Sequence, residues 1–84
     1  MNLIVLGSSS TGNGYLLQSS AGDTLIIETG IRLSAVKQAL GFDISQVCGA
    51  LISHSHQDHS GRTGEYLAAG IRCHASPDTV KEIG

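Results

Sequence analysis

The sequence predicts an α/β fold in a single domain of about five strands and two to three helices. Short aliphatic runs, typical of buried strands, recur along the chain, and segments with apolar residues at helical spacing separate them. Glycines mark most of the boundaries. The chain has 84 residues, 40% of them hydrophobic, with one Phe and no Trp. We therefore expect an aliphatic core, as buried strands provide.

Three strands are predicted in the first third of the chain. Leu3–Leu6 is a short apolar run, and the small or turn-forming residues 7–14 that follow predict a loop. Tyr15–Ser19 and Thr24–Glu28 predict the second and third strands. Because only a short Gly/Asp link, residues 21–23, separates these two runs, we expect a β-hairpin.

A helix and a central strand are predicted next. Apolar residues at helical spacing indicate a helix over residues 31–40, with Ser34 either at its N-cap or within its first turn. Gly41 stands where a glycine commonly ends a helix. Val47–Ser53 is apolar throughout, which predicts a central strand.

The last third of the chain continues the alternation. Gly61–Ala69 is a weakly patterned helix that Gly70 ends, and Ile71–Ala75 predicts a fifth strand. Ser76 and Pro77 are typical of an N-cap and a first helical position, so a final helix is expected there.

Charge and cysteine usage describe an ordinary cytoplasmic chain. The formal charge is -2, so the net charge of the chain does not indicate nucleic-acid binding. This does not exclude a nucleic-acid substrate for a larger parent protein. Cys48 and Cys73 form no CxxC pair, and we expect buried free thiols in a reducing compartment. No run approaches transmembrane length, which predicts no membrane partner.

A cluster of potential metal ligands follows the predicted fourth strand. Three of the four histidines of the chain lie in the hexapeptide His54-Ser55-His56-Gln57-Asp58-His59. Imidazole and carboxylate groups are common ligands of zinc and related metals. His54 and His56 fall on one side of an extended backbone and Asp58 continues that parity, whereas His59 breaks it. After a turn, the second pair is able to face another metal or the other side of the same one.

The chain resembles a known family in three segments. Residues 53–61 resemble the S/T-H-x-H-x-D-H-x-G signature of the metallo-β-lactamase superfamily. Residues 7–17 resemble the GSGSSGNCYLL opening of its YycJ/WalJ-like branch, and residues 25–30 resemble the LLIDAG of that branch. The resemblance covers nearly all of the sequence, and it identifies residues 1–84 as a single incomplete domain, the N-terminal portion of the family's fold.

The resemblance implies an αββα sandwich with a mixed sheet and one or two metal ions, zinc or manganese. His54 and His56 match positions that bind a first metal, and Asp58 and His59 match positions that bind a second. The position of Asp58 also handles a proton in many members. The implied reaction is hydrolysis of a phosphodiester or other ester by metal-bound hydroxide, and the substrate of the implied branch includes DNA.

The later metal ligands of the family match no residue of this chain, and the remaining histidine, His74, is interpreted as a core-edge or surface residue. We therefore expect weak or no hydrolysis by these 84 residues alone. The alternatives are a truncated, inactive metal-binding or oligomerising fragment, or a zinc-stabilised binding module. Because a half-sandwich exposes strand edges and an apolar face, we expect a homodimer or higher oligomer.

Glu28 stands where the family usually has Asp, and its role is open between two interpretations. It either orients the histidine loop or points to solvent from a strand end. The Ser-rich residues 7–14 are interpreted as a structural turn beneath the metal site, since they lack the lysine of a phosphate-binding P-loop. Tyr15 and Tyr66 are expected to be packing residues.

Overall fold

The computed structural model describes residues 1–53 and 56–83, with residues 57, 58, 80, 82 and 83 described in their backbone alone. Within these ranges the elements are, in chain order, β1 (Asn2–Ser9), β2 (Gly12–Gln18), β3 (Thr24–Ile27), α1 (Leu33–Ala39), β4 (Val47–Leu51), α2 (Gln57–Ser60), α3 (Thr63–Ala68), β5 (Cys73–His74) and α4 (Pro77–Ile83). None of the helices described is long and apolar enough to cross a membrane.

The described strands form one sheet in the order β1-β2-β3-β4-β5. The pairings of β1 with β2 and of β2 with β3 are antiparallel, whereas β3 with β4 and β4 with β5 are parallel. Parallel neighbours require a crossover, which α1 provides between β3 and β4, and α2 and α3 provide between β4 and β5. The predicted mixed sheet and the hairpin between the second and third strands are confirmed.

The predicted loop over residues 7–14 is wrong, because β1 and β2 run through it. Ser9 pairs with Gly12, so only residues 10 and 11 turn the chain, and a register shift between Val5 and Gly7 marks a bulge in β1. Small residues signal a loop locally, but here the opposite strand satisfies their backbone groups. The segment is therefore an extended hairpin.

Glycines in this hairpin make room for Ile31. A Cβ built on Gly14 would lie 2.4 Å from Cδ1 of Ile31, and one on Gly7 would lie 3.1 Å from its Cγ2. A Cβ on Gly12 would lie 2.7 Å from the carbonyl oxygen of Gly30. The three glycines thus leave a part of the hairpin surface without side chains, and the segment leading into α1 packs there.

The core lies between one face of the sheet and the helices. Ile4, Leu16, Ile26 and Ala50 are paired across β1 to β4, so their side chains share that face. Residues of α1, α3 and the segment after α3 complete the cluster: Leu33, Val36, Tyr66 and Ile71. The core is almost wholly aliphatic, as the composition predicted.

Tyr66 is the one aromatic residue of this cluster, and it is fully buried. Burial raises the pKa of its phenol, and the nearby Glu65 adds to the rise, so the hydroxyl stays protonated at neutral pH. It donates a hydrogen bond to the carbonyl oxygen of Ile31 at 3.0 Å. The packing role expected of Tyr66 is confirmed, and its hydroxyl also fixes the segment before α1.

The opposite face of the sheet is also apolar. One row across the strands contains Leu3, Leu17 and Leu25, and a second contains Val5, Tyr15, Ile27 and Leu51. We call these two rows the open face. Leu3, Val5 and Leu51 are 60%, 57% and 43% exposed. A sheet that is apolar on both sides has the composition of an inner layer.

Helix ends follow the predicted signals. Gly41 and Gly70, just after α1 and α3, have φ values of 65° and 83°, a conformation that glycine adopts without strain. Ser34 lies in the first turn of α1, one of its two predicted positions. Ser76 caps α4, because its Oγ accepts a hydrogen bond from the N–H of Thr79 at 3.2 Å.

The two cysteines are free, but their burial differs from the prediction. Cys73 is half-buried, and burial raises the pKa of its thiol. Cys48 is exposed, so its predicted burial is wrong. Thr24 pairs with Val47 and the next pair is Leu25 with Gly49, which leaves Cys48 as the extra residue of a bulge.

Replacing Gly14 by Ala is expected to lower the free energy of unfolding by about 1–3 kcal/mol, because Ile31 must leave its place on the hairpin. The same change should cost less when Ile31 is already Ala. Urea unfolding of the four variants of this double-mutant cycle measures the coupling. Gly64→Ala is the control, since no atom of the described residues lies within 4 Å of a Cβ built there. Equal costs of Gly14→Ala in both backgrounds would contradict the packing argument.

Candidate metal centre

The predicted ligand loop follows β4 and closes in the single turn of α2. Of its four predicted ligands, His56 and His59 are described, whereas His54 and the side chain of Asp58 lie outside the described residues. The carbonyl oxygen of His56 accepts hydrogen bonds from the N–H groups of His59 and Ser60, both at 2.9 Å. Because of this turn, His59 lies at the end of the sheet, next to the start of β2 and the end of β3.

Glu28 is the buried partner of this loop. It follows the last residue of β3 and is only 3% exposed. Its carboxylate accepts hydrogen bonds from the N–H and the Oγ of Ser53, both at 2.7 Å. The same carboxylate contacts Nδ1 of His59. Glu28 therefore orients the loop, and the interpretation that it points to solvent is wrong.

This contact decides which nitrogen of His59 carries the proton. A neutral imidazole has one N–H and one lone pair, and Nδ1 must carry the N–H to donate to the carboxylate of Glu28. Nε2 then presents its lone pair. Metal-ligating histidines commonly have this arrangement, in which a carboxylate holds the nitrogen that does not bind the metal. His59 thus fits the role of a metal ligand through Nε2.

Asn13 faces that lone pair from the start of β2. Its Nδ2 lies 3.4 Å from Nε2 of His59 and donates a hydrogen bond to the carbonyl oxygen of Ser9 at 3.0 Å. Its Oδ1 accepts a hydrogen bond from the hydroxyl of Tyr15 at 3.2 Å. Both ends of the amide are therefore fixed, with the NH₂ group directed at His59.

Thr29 fastens the backbone of α2 to the end of β3. It is fully buried, and its N–H donates to the carbonyl oxygen of His59 at 2.7 Å. Its carbonyl oxygen accepts from the N–H of Arg62 at 2.9 Å. Thr63 donates its hydroxyl to the carbonyl oxygen of Ser60 at 2.6 Å, so the hydroxyl of Thr29 donates to Thr63 at 2.8 Å. The position of His59 is fixed at its side chain and at its backbone.

The residues that the structure describes form only part of the predicted metal site. Among the side chains that the structure describes, no three His, Cys, Asp or Glu residues converge into a metal site. His74 is exposed on β5, which agrees with its interpretation as a surface residue. Asn13 and Thr29 were not predicted as site residues, because their partners lie 46 and 30 positions away and leave no local signal.

The comparison with protein families agrees with this geometry. Residues 9–79 match the model of the metallo-β-lactamase superfamily, and the chain belongs to this superfamily. The chain is also 34% identical over 67 residues to the anti-Pycsar protein Apyc1 of Bacillus phage 010DV004. That match covers 73% of this chain and 26% of the phage protein.

Solved structures show the same fold. A metallo-β-lactamase from Erythrobacter litoralis, crystallised with β-mercaptoethanol in its active site, aligns with a TM-score of 0.65 and 23% identity, over 84% of this chain and 32% of its own. The mono-zinc form of the metallo-β-lactamase FIM-1 from Pseudomonas aeruginosa aligns with a TM-score of 0.65 and 14% identity, over 99% of this chain and 46% of its own. The chain has the N-terminal part of this fold, as predicted, and spans less than half the length of these relatives.

Replacing Glu28 by Gln is expected to weaken zinc binding by about 10–100-fold, because the charged acceptor behind His59 is lost. Competitive titration against a chromophoric chelator measures the affinity. Asp23→Asn removes the same charge from an exposed turn and should leave the affinity unchanged. Glu28→Asp retains the negative charge, so its zinc affinity tests whether the position of the carboxylate matters as well as its charge.

The effect of Glu28 on His59 can also be measured without metal. Long-range ¹H–¹⁵N spectra of the metal-free protein should show the His59 tautomer with its proton on Nδ1, and a mixture of tautomers in Glu28→Gln. An unchanged tautomer and an unchanged zinc affinity in Glu28→Gln would show that Glu28 is not the group that orients His59.

Proposed function

We propose that this chain contributes the first ligands of a metal-dependent phosphodiesterase. The proposed ligands of zinc or manganese, one or two ions, are His54, His56, Asp58 and His59. The observation that carries the proposal is His59, whose Nδ1 is held by the buried carboxylate of Glu28 while the lone pair of Nε2 faces the amide of Asn13. A bound metal supplies Lewis acidity and an activated water for attack on the ester.

The residues of the chain have distinct parts in this proposal. Asp58 is the proposed catalytic residue and accepts or returns a proton at its carboxylate during hydrolysis. Glu28 is a positioning residue, because it reaches the metal site through Nδ1 of His59. Asn13 contacts Nε2, so a metal bound at Nε2 takes the lone pair that the amide of Asn13 now faces. The remaining ligands are proposed to come from protein beyond these 84 residues, since the chain spans 26% to 46% of its relatives.

The proposed substrate is a phosphodiester, with DNA as one candidate. Support comes from residues 7–17 and 25–30, which resemble the YycJ/WalJ-like branch associated with phosphodiester cleavage. The proposed location is the cytoplasm, in keeping with two free thiols.

We expect about one or more zinc or manganese ions per chain after gel filtration, measured by elemental analysis. The double variant His54→Ala/His56→Ala should lose the metal. With metal added, a chromogenic phosphodiester should be hydrolysed slowly by the chain, and Asp58→Ala should abolish that hydrolysis. The double variant His74→Ala/Asp23→Asn, which alters exposed groups outside the site, should retain both properties. A metal-free chain, or turnover that survives Asp58→Ala, contradicts the proposal.

A second candidate function is that of an oligomerising fragment, and the open face favours it. We propose that a second copy of the chain covers this face. The two rows carry no carboxylate, ammonium or guanidinium group, so a symmetric contact places no like charges opposite each other. Sheets stack face to face at about 10 Å, with the apolar side chains of both sheets between them.

Sedimentation equilibrium is expected to show a dimer at high protein concentration. Leu51→Lys should shift the equilibrium to monomer, because it places a charge within the contact. Leu67→Lys is the matched control, since Leu67 is 57% exposed but lies on α3, away from the open face. A monomer at high concentration, or equal effects of the two variants, would rule out this dimer.

A further inference from the structure

A cleft of about 440 Å³ lies beside the candidate metal centre. One wall is the turn between β1 and β2, with Ser9 and Thr11, and the other is the segment from Gly30 to Arg32 that leads into α1. Arg62, between α2 and α3, closes one side. The hairpin glycines that accept Ile31 also bring these two walls together.

The cleft is basic in a chain that is acidic overall. It contains two of the five Lys and Arg residues, Arg32 and Arg62, and none of its described lining residues is acidic. Arg62 is paired with Glu65 at 3.2 Å, but both side chains are more than a third exposed. Surface pairs of this kind contribute at most about 1 kcal/mol, so an anion in the cleft can compete for the guanidinium.

Arg32 is the more accessible of the two cations to an anion in the cleft. It is exposed at the N-cap position of α1, and no carboxylate of the described residues forms an ion pair with it. A guanidinium offers parallel N–H groups that match two oxygens of a phosphate. The hydroxyls of Ser9 and Thr11, 2.7 Å apart and exposed, add donors that can rotate toward a ligand.

One wall of the cleft, and Arg62 at its side, are joined to His59 by hydrogen bonds. On one wall, the carbonyl oxygen of Ser9 accepts from Nδ2 of Asn13, which contacts Nε2 of His59. On the other side, the N–H of Arg62 donates to Thr29, whose own N–H donates to the carbonyl oxygen of His59. A group bound in the cleft therefore lies next to the site where a metal would bind.

We propose that this cleft is an anion subsite, in which Arg32 and Arg62 hold a phosphate group of the substrate beside the one that is cleaved. The inference rests on the proposed phosphodiesterase function and narrows it to substrates with at least two phosphates, such as an oligonucleotide. The Ser-rich segment is then more than a structural turn, because Ser9 and Thr11 face the ligand.

The test uses the full chain without metal, in a chelator and at constant ionic strength. The probes are inorganic phosphate and a 5′-phosphorylated thymidine dinucleotide, followed by ¹H–¹⁵N chemical shifts of the cleft residues. We expect saturable shifts with both probes and tighter binding of the dinucleotide. Arg32→Gln and Arg62→Gln should each weaken dinucleotide binding by about tenfold or more, since each removes charged hydrogen bonds.

Arg72→Gln is the matched control, because Arg72 is exposed and does not line the cleft. No saturable shift, or an equal loss in Arg72→Gln, would overturn the subsite. Binding of the dinucleotide by a chain that retains no zinc or manganese supports the subsite and counts against the proposed function. Hydrolysis of the dinucleotide that is indifferent to Arg32→Gln and Arg62→Gln supports the function and overturns the subsite.

Discussion

The buried carboxylate of Glu28 is the constraint on which the site depends. An ionised group with so little exposure is costly unless donors surround it, and Ser53 and His59 supply those donors from two sides of the ligand loop. Glu28 also has a φ of 70°, a conformation that costs a non-glycine residue about 1–3 kcal/mol. The N–H of Glu28 donates to the carbonyl oxygen of Leu51, and the N–H of Thr29 donates to the carbonyl oxygen of His59, both at 2.7 Å. These two hydrogen bonds hold the backbone at the strained residue and just after it.

Sheet topology brings the parts of the site to one edge. β3 and β4 are parallel, so their C-terminal ends lie side by side and present Glu28 and Ser53 together. β2 runs antiparallel to β3, which brings the start of β2, with Asn13, to the same edge. Glycines in the hairpin let Ile31 approach closely enough for Gly30 to donate its N–H to the carbonyl oxygen of Asn13 at 3.0 Å. Fold, ligand loop and cleft therefore depend on one another.

The sequence predicted features that are encoded locally. Apolar runs located the strands, and glycines at positions 41 and 70 located the helix ends. The ligand loop, read from the histidine spacing, stays a prediction. Residues 7–14 were misassigned because their small side chains are typical of loops, while Ile31, the residue that explains their glycines, lies outside any local window. Glu28 could not be assigned from sequence either, since its partner His59 is 31 positions away and reaches it only through the turn of α2.

The open face and the candidate metal centre are connected through Tyr15. This residue belongs to one of the two apolar rows, while its hydroxyl donates to Asn13, which in turn contacts His59. Any protein layer on the open face, from a second copy or from further chain, would remove water from this hydrogen-bonded series. In a drier environment each of these polar contacts strengthens, and leaving one unmade becomes more costly. Covering the face is therefore expected to hold Tyr15, Asn13 and His59 more firmly in place.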